Sequence, residues 1–201
     1  MLRTCGECAD DYDRSMVTRR LIHWLSRFCL WHEKFKGGVL GADVLPAYMQ
    51  AREDLSPILL LAQRLEINSC DGARQAIRVA RAVPVEFALR SGKASSITHD
   101  ISVSGLSARI GEAPARGTLA HFRLKLGRDA QPIAGRCRVV ASTPLQGSVR
   151  MAASFEDIAK EERYRIETLV FDAICSEIRA MLRSEPSLSS PTSPTPPPRG
   201  L

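Results

Sequence analysis

Aromatic residues are scarce in this sequence, and long apolar runs are absent. Phe, Trp and Tyr make up only 5% of the 201 residues, although apolar residues reach 44%, enough for a sizeable core. The longest uninterrupted apolar run covers only residues 58–62, far short of the roughly 20 residues that a membrane-spanning helix needs. Asp10, Asp11 and Asp13 precede any apolar stretch, so we expect no signal peptide and a cytoplasmic location.

Catalytic motifs are also missing. The sequence has no glycine-rich phosphate loop of the Walker type and no Gly-x-Ser-x-Gly turn that would carry a nucleophilic serine. The four histidines, His23, His32, His99 and His121, include no His-Glu-x-x-His pair. His99 adjoins Asp100, but neighbours on a strand are expected to point to opposite faces, which argues against a His–Asp relay. We therefore expect a protein that is not an enzyme and holds no cofactor.

The charge of the chain is mildly basic. Its formal net charge is +6, from 28 Lys and Arg against 22 Asp and Glu. Such an excess suits an anionic partner, whether a nucleotide, a nucleic acid or an anionic membrane surface. The basic residues are scattered without a long Lys/Arg run, so charge alone does not choose among these partners.

Four residues near the N-terminus offer a metal-site alternative. Cys5 and Cys8 form a C-x2-C pair, and Cys29 and His32 form a C-x2-H pair. Three thiolates and one imidazole could make a closed tetrahedral zinc site. However, His32 also belongs to the apolar stripe of a predicted helix, which favours ordinary packed side chains. A zinc-containing regulator that binds nucleic acid is therefore the least favoured interpretation, and we expect no metal.

The first third of the chain has the apolar spacing of helices. Apolar residues recur every three or four positions over residues 15–36, which predicts a helix with Ser15 as its N-cap. A second helix is predicted over residues 42–52, and a third from Ser56-Pro57 to residue 66, since proline suits a first helical turn. Residues 1–14 are expected to be irregular.

From Val79 onwards the apolar period changes to two. This predicts six short strands separated by glycines, over residues 83–89, 97–102, 106–110, 119–126, 133–140 and 149–155. Such a pattern favours a closed barrel or a sandwich. A long helix is then predicted over residues 157–182. Its length exceeds what closing one barrel end requires, so the excess packs on the N-terminal helices, the favoured alternative, or on a second subunit in a homodimer.

Two short motifs carry the chemistry. Arg74 and Arg78 lie four residues apart, and further along stands Asp100-x-Ser102-x-x-Gly105. The guanidinium fork matches phosphate oxygens and the O6/N7 edge of guanine, as a lysine does not. A carboxylate can accept hydrogen bonds from guanine N1–H and N2–H, and Ser102 follows Asp100 at the strand period. Glycine permits either a positive φ or a close approach of the backbone.

These motifs, in this order and with strands around them, resemble the signature of the PilZ family over about residues 73–160. Members of that family are small β-barrels that bind the bacterial second messenger cyclic di-GMP. The resemblance implies that Arg74 and Arg78 contact phosphate and guanine and that Asp100 and Ser102 hold a guanine edge, with Gly105 completing the ligand-binding set.

Two positions depart from the family pattern. Ala73 stands where many members have a further arginine, and Ala152 stands where a glycine often precedes the phenylalanine at Phe155. The first departure bears on ligand affinity, whereas the second concerns the barrel.

The predicted fold class is α+β: a six-stranded antiparallel PilZ-like β-barrel with an N-terminal helical region and a long C-terminal helix. We expect a helical region over residues 1–67, a linker over 68–78, the barrel and final helix over 79–183, and a disordered Pro/Ser-rich tail over 184–201. Amides of residues 68–79 are expected to exchange quickly without ligand.

The resemblance implies a receptor that passes the level of cyclic di-GMP to an unidentified protein partner, in the control of motility, pili or exopolysaccharide. The alternative is a PilZ-like adaptor that acts by protein interaction without a nucleotide, against which the retained motif residues argue. Neither a nucleic-acid partner nor a membrane span is expected.

Overall fold

The computed structural model describes residues 7–66, 75–90, 92–112, 114–127 and 130–184, with the backbone alone for residues 7–15, 65 and 66. Within these ranges the elements are, in chain order, α1 (Glu7–Lys36), α2 (Leu45–Glu66), β1 (Pro84–Leu89), β2 (Gly92–Ser102), β3 (Gly105–Ile110), β4 (Leu119–Leu124), β5 (Ile133–Leu145), β6 (Ser148–Asp157) and α3 (Lys160–Ser184). The predicted tail beyond residue 184 lies outside the described residues, as does most of the predicted linker.

The six strands form a closed barrel. Their order is β1-β2-β3-β6-β5-β4, and β4 pairs back onto β1 with every neighbouring pair antiparallel. Alternate side chains fill the interior, and those buried on this face include Val85, Phe87, Ile101, Leu106, Ala108, Phe122, Leu124, Cys137, Val139, Met151 and Ala153. The strand period of two thus encloses a packed core, and the predicted fold class is confirmed.

Several predicted strand ends are wrong. β2 begins at Gly92 and β5 continues to Leu145, because polar residues there pair with their neighbours along the backbone ladder without being buried. β4 ends at Leu124 instead of residue 126. β6 runs on to Asp157, which is paired with Arg136 of β5, so α3 begins only at Lys160.

The N-terminal helices are fewer and longer than predicted. α1 begins at Glu7, so part of the segment expected to be irregular is helical. α2 runs unbroken through Pro57, which removes only one backbone donor from the ladder. The Ser56 hydroxyl donates to the carbonyl of Arg52 at 2.8 Å and caps nothing. Among the described helices, none is long and apolar enough to cross a membrane.

The helix α3 packs along α1 within the same chain. Lys36 of α1 pairs with Asp172 of α3 at 2.6 Å, and Arg179 of α3 pairs with Glu33 of α1 at 2.6 Å. Phe171, Ile174 and Cys175 of α3 are buried. The length of α3 beyond the barrel therefore covers the N-terminal helices, which is the favoured of the two predicted alternatives.

Cys29 and His32 lie inside this helical layer. The Cys29 Sγ is 3.8 Å from the carbonyl oxygen of Cys175, and Nδ1 of His32 is 2.7 Å from the Tyr48 hydroxyl. Cys5 and the side chain of Cys8 fall outside the described residues. In the part of the chain that the structure describes, no group of three or more His, Cys, Asp or Glu residues could hold a metal ion.

The burial of His32 predicts a pH-dependent stability. Its side chain is fully buried, Nε2 has no hydrogen-bond partner among the described residues, and burial lowers its pKa to about 4. In the unfolded chain His32 binds a proton as the pH falls below about 6.5, whereas in the folded state it stays neutral until about pH 4. The free energy of unfolding should therefore be highest above pH 6.5. It should fall by roughly 1 kcal/mol per pH unit as the pH drops from about 6.5 towards 4. Urea unfolding at several pH values measures this slope.

Replacing His32 with glutamine should flatten the slope, even if the variant is less stable at every pH. The matched control is His23→Gln, a replacement on the exposed side of the same helix. An equal slope in wild type and His32→Gln would contradict the assignment.

Candidate functional site

A β-bulge places Asp100 on the outside of the barrel together with its neighbour His99. The pairing of β2 with β3 shifts between Thr98 and Asp100, so His99 has no direct partner in β3. An extra residue in one strand turns two successive side chains to the same side. Nδ1 of His99 consequently lies 3.5 Å from Oδ2 of Asp100, and the expectation that the two side chains point to opposite faces is wrong.

The Asp100 carboxylate joins three elements on this outer face. Nη1 of Arg78 in the linker donates to Oδ1 at 3.2 Å. Nη2 of Arg150 in β6 donates to Oδ2 at 2.7 Å, and the Ser107 hydroxyl in β3 donates to the same oxygen at 2.6 Å. Arg150 also donates from Nε to the Ser107 hydroxyl at 3.4 Å. We call Arg78, Asp100, Ser107 and Arg150 the carboxylate cluster.

The electrostatics of the cluster keep Asp100 ionised. Only 13% of its side chain is exposed, and this burial alone would raise its pKa. Hydrogen bonds from Ser107 and Arg150 and the charges of Arg78 and Arg150 outweigh that effect, so the pKa of Asp100 lies below its ordinary value. The result is a fixed negative charge between two guanidinium groups that remain 30% and 42% exposed.

The end of the linker is held in place next to the cluster. The side-chain amide of Gln63 in α2 donates to the Arg78 carbonyl at 2.5 Å and accepts from the Arg78 N–H at 3.0 Å. Val79 and Ile101 exchange two backbone hydrogen bonds of 3.0 Å. These hydrogen bonds favour slow exchange at Arg78 and Val79, so fast amide exchange in the free linker stays a prediction. For residues 68–74 it lies outside the described residues.

Ser102 and Gly105 form the turn that follows Asp100. The buried Ser102 hydroxyl donates to the Gly105 carbonyl at 3.1 Å and accepts from the Ser104 N–H at 3.3 Å. Gly105 faces Ser154 of β6, and a methyl group there would overlap the carbonyl oxygen of Ala153. Of the two reasons considered for this glycine, close backbone approach is therefore the one that applies.

One contact joins the two motifs of the predicted site, the hydrogen bond from Arg78 to Asp100. Arg78 and Asp100 meet, whereas Ser102 and Gly105 shape the turn behind them, and Arg74 lies outside the described residues. Sequence reasoning missed Ser107 and Arg150. The only signal for either was its outward position in a predicted strand, which polar residues commonly occupy.

Comparison with known proteins bears directly on these residues. Residues 73–172, which include the whole carboxylate cluster and the barrel, match the sequence model of the PilZ domain. This part of the chain belongs to the PilZ domain family. Of the two departures from the family pattern, Ala152 lies on β6 directly opposite Ser107 of β3. The other, Ala73, falls outside the described residues.

Solved structures of PilZ proteins are similar to this chain, with low sequence identity. The PilZ domain of YcgR from Escherichia coli with cyclic di-GMP shares 12% identity over 56% of this chain and 99% of its own, at a TM-score of 0.45. The K. pneumonia MrkH–cyclic di-GMP complex shares 16% identity over 55% of this chain and 56% of its own, at 0.46.

The Bacillus subtilis inhibitor of motility MotI/DgrA shares 16% identity over 57% of this chain, at a TM-score of 0.44. The match spans only 54% of the length of that protein. Comparison with curated proteins gives no significant match.

Proposed function

We propose that this PilZ domain binds cyclic di-GMP on the outer face of β2, β3 and β6, and that the protein acts as a receptor without chemistry of its own. The observation that carries the proposal is the contact of Arg78 with Asp100, which joins the two motifs of the family in one partly exposed cluster. Arg74, Ser102 and Gly105 complete the proposed site, with Arg74 placed there by its spacing from Arg78 alone.

The cluster has the charge pattern that a guanine dinucleotide requires. Guanidinium groups offer paired N–H donors to phosphate oxygens and to guanine acceptors. The Asp100 carboxylate accepts from guanine N1–H and N2–H, and it stays ionised because its pKa is lowered. Adenine lacks this pair of donors, since its N1 is an acceptor, so the cluster favours guanine.

The proposed receptor passes the signal on through its helices. Gln63 of α2 holds the backbone of Arg78, and Nη1 of Arg163 in α3 donates to the Val103 carbonyl at 2.9 Å, in the turn after Asp100. A ligand that draws Arg78 or this turn towards itself therefore changes contacts with both helices. An unidentified protein partner would recognise the altered helical surface, and the ligand can shift it only by binding one arrangement more tightly.

Calorimetric titration of the full chain tests the proposal. Cyclic di-GMP should bind with a dissociation constant in the micromolar range or below, about −8 kcal/mol. Cyclic di-AMP, the matched control with the same ring and charge, should bind far more weakly. Equal affinities for the two dinucleotides would refute guanine recognition. No binding of either would favour the adaptor that works without a nucleotide.

A further inference from the structure

Arg150 belongs to the carboxylate cluster but to neither of the two sequence motifs. It lies on the outer face of β6, opposite Arg109 of β3. Its guanidinium reaches across β3 to Oδ2 of Asp100 at 2.7 Å and to the Ser107 hydroxyl at 3.4 Å. Its side chain nevertheless remains 42% exposed. Arg150 is thus bonded to the acid that reads guanine and also open to solvent.

The acceptor capacity of Asp100 requires that one of its present hydrogen-bond donors leave when guanine binds. Each carboxylate oxygen has two acceptor positions. Among the residues that the structure describes, Oδ1 receives one hydrogen bond, from Arg78, whereas Oδ2 receives two, from Ser107 and Arg150. A guanine that donates N1–H and N2–H to the two oxygens needs one position on each. Oδ1 still has one acceptor position for the base, whereas Oδ2 has none until Ser107 or Arg150 leaves it.

Of the two partners on Oδ2, Arg150 is the one able to leave. Ser107 is 1% exposed, and its short side chain is fixed by the backbone of β3 between β2 and β6. Arg150 has a long flexible side chain on the open side of the cluster. When N1–H of guanine takes its place on Oδ2, the neighbouring atom on the same edge of the base is O6, an acceptor.

We propose that Arg150 is a guanine-reading residue, which is displaced from Asp100 by N1–H of the base and then donates to O6. The inference rests on the proposed function. Arg150 and Asp100 together present a donor followed by two acceptors, which matches the O6, N1–H and N2–H row of guanine. Adenine presents an amino donor in the place of O6 and so meets a second donor there.

Calorimetry on the full chain tests this role with wild type, Arg150→Ala, Arg150→Lys and Arg136→Ala. Arg136 is the matched control, an exposed arginine of β5 whose Nη2 is 3.2 Å from Asp157, away from the cluster. Each protein is titrated with cyclic di-GMP and with its 6-thioguanine analogue, which keeps N1–H and N2–H but replaces O6 with a poorer acceptor. Arg150→Ala should weaken binding of cyclic di-GMP at least about fivefold, as expected for loss of an arginine–guanine contact.

Arg150→Lys should not restore the affinity, because lysine keeps the charge but lacks the planar fork. The thio substitution should weaken binding to wild type and to Arg136→Ala, yet make little difference to Arg150→Ala, which no longer contacts the substituted atom. A residue that merely positions Asp100 would leave the thio effect unchanged in Arg150→Ala, and that result overturns the inference.

Tighter binding by Arg150→Ala, or full recovery by lysine, would overturn it as well. Failure of wild type to bind cyclic di-GMP would instead refute the proposed function, and this inference with it.

Discussion

Replacing Arg78 with alanine should weaken the binding of cyclic di-GMP by about 5- to 150-fold, the effect of losing a bidentate contact worth roughly 1–3 kcal/mol. Two losses combine in this variant. The ligand loses a guanidinium donor, and Asp100 loses its partner on Oδ1. The backbone bonds between Arg78 and Gln63 do not require the arginine side chain, so the fold should be retained. Calorimetric titration measures the effect.

Arg81 provides the control for this prediction. It lies between the linker and β1 with 42% of its side chain exposed, and it pairs with Asp172 of α3 at 3.6 Å instead of joining the carboxylate cluster. Because an exposed ion pair contributes little, Arg81→Ala should change the affinity by less than about twofold. Similar losses in both variants would mean that the ligand responds to overall positive charge and not to the contact with Asp100.

Replacing Gly105 with alanine should destabilise the barrel by about 1–3 kcal/mol, the usual cost of forcing an extra methyl group into a packed site. The added group would overlap the carbonyl oxygen of Ala153 and lie 3.1 Å from Cα of Ser154. Both neighbours are backbone atoms of β6, so the pairing of β3 with β6 must shift. Urea unfolding measures the loss of stability. Binding should weaken too, because the same pairing holds Ser107 and Arg150 together.

Gly111 is the matched control for Gly105. It follows β3 directly, is exposed, and has no atom of the described residues within 4 Å of the position that a methyl group would take. Gly111→Ala should therefore leave the unfolding midpoint close to that of wild type. Equal stability of the two alanine variants would contradict the claim that the close approach of β6 requires a glycine at position 105.

The fold and half of the candidate site could be predicted from the sequence because both depend on local pattern. The alternation of Val83, Val85 and Phe87 predicted a strand with one buried face, and all three are buried. The resemblance of the two motifs to the PilZ signature implied that Arg78 and Asp100 belong to one site, and the two side chains are in contact. Both inferences rest on short stretches of sequence, an apolar alternation in one case and two motifs in the other.

The remaining features depend on pairing between distant strands, which local pattern does not contain. The bulge at His99 arises from the register of β2 against β3, so strict alternation gave the wrong face for that residue. Arg150 reaches Asp100 only because β6 pairs with β3. Proline suits a first helical turn, so local pattern predicts a helix start at Pro57, but this residue lies inside α2, and Leu55, two positions before it, is buried.

The most direct test of the account is a map of amide chemical shifts of the 15N-labelled full chain, recorded with and without cyclic di-GMP. Shift changes should concentrate at Arg78, at Asp100 and the turn to Gly105, and at Arg150. His121 on β4, the strand across the barrel from β3, should stay unchanged. Shifts concentrated on β4, with none around Asp100, would contradict the placement of the site on the face formed by β2, β3 and β6.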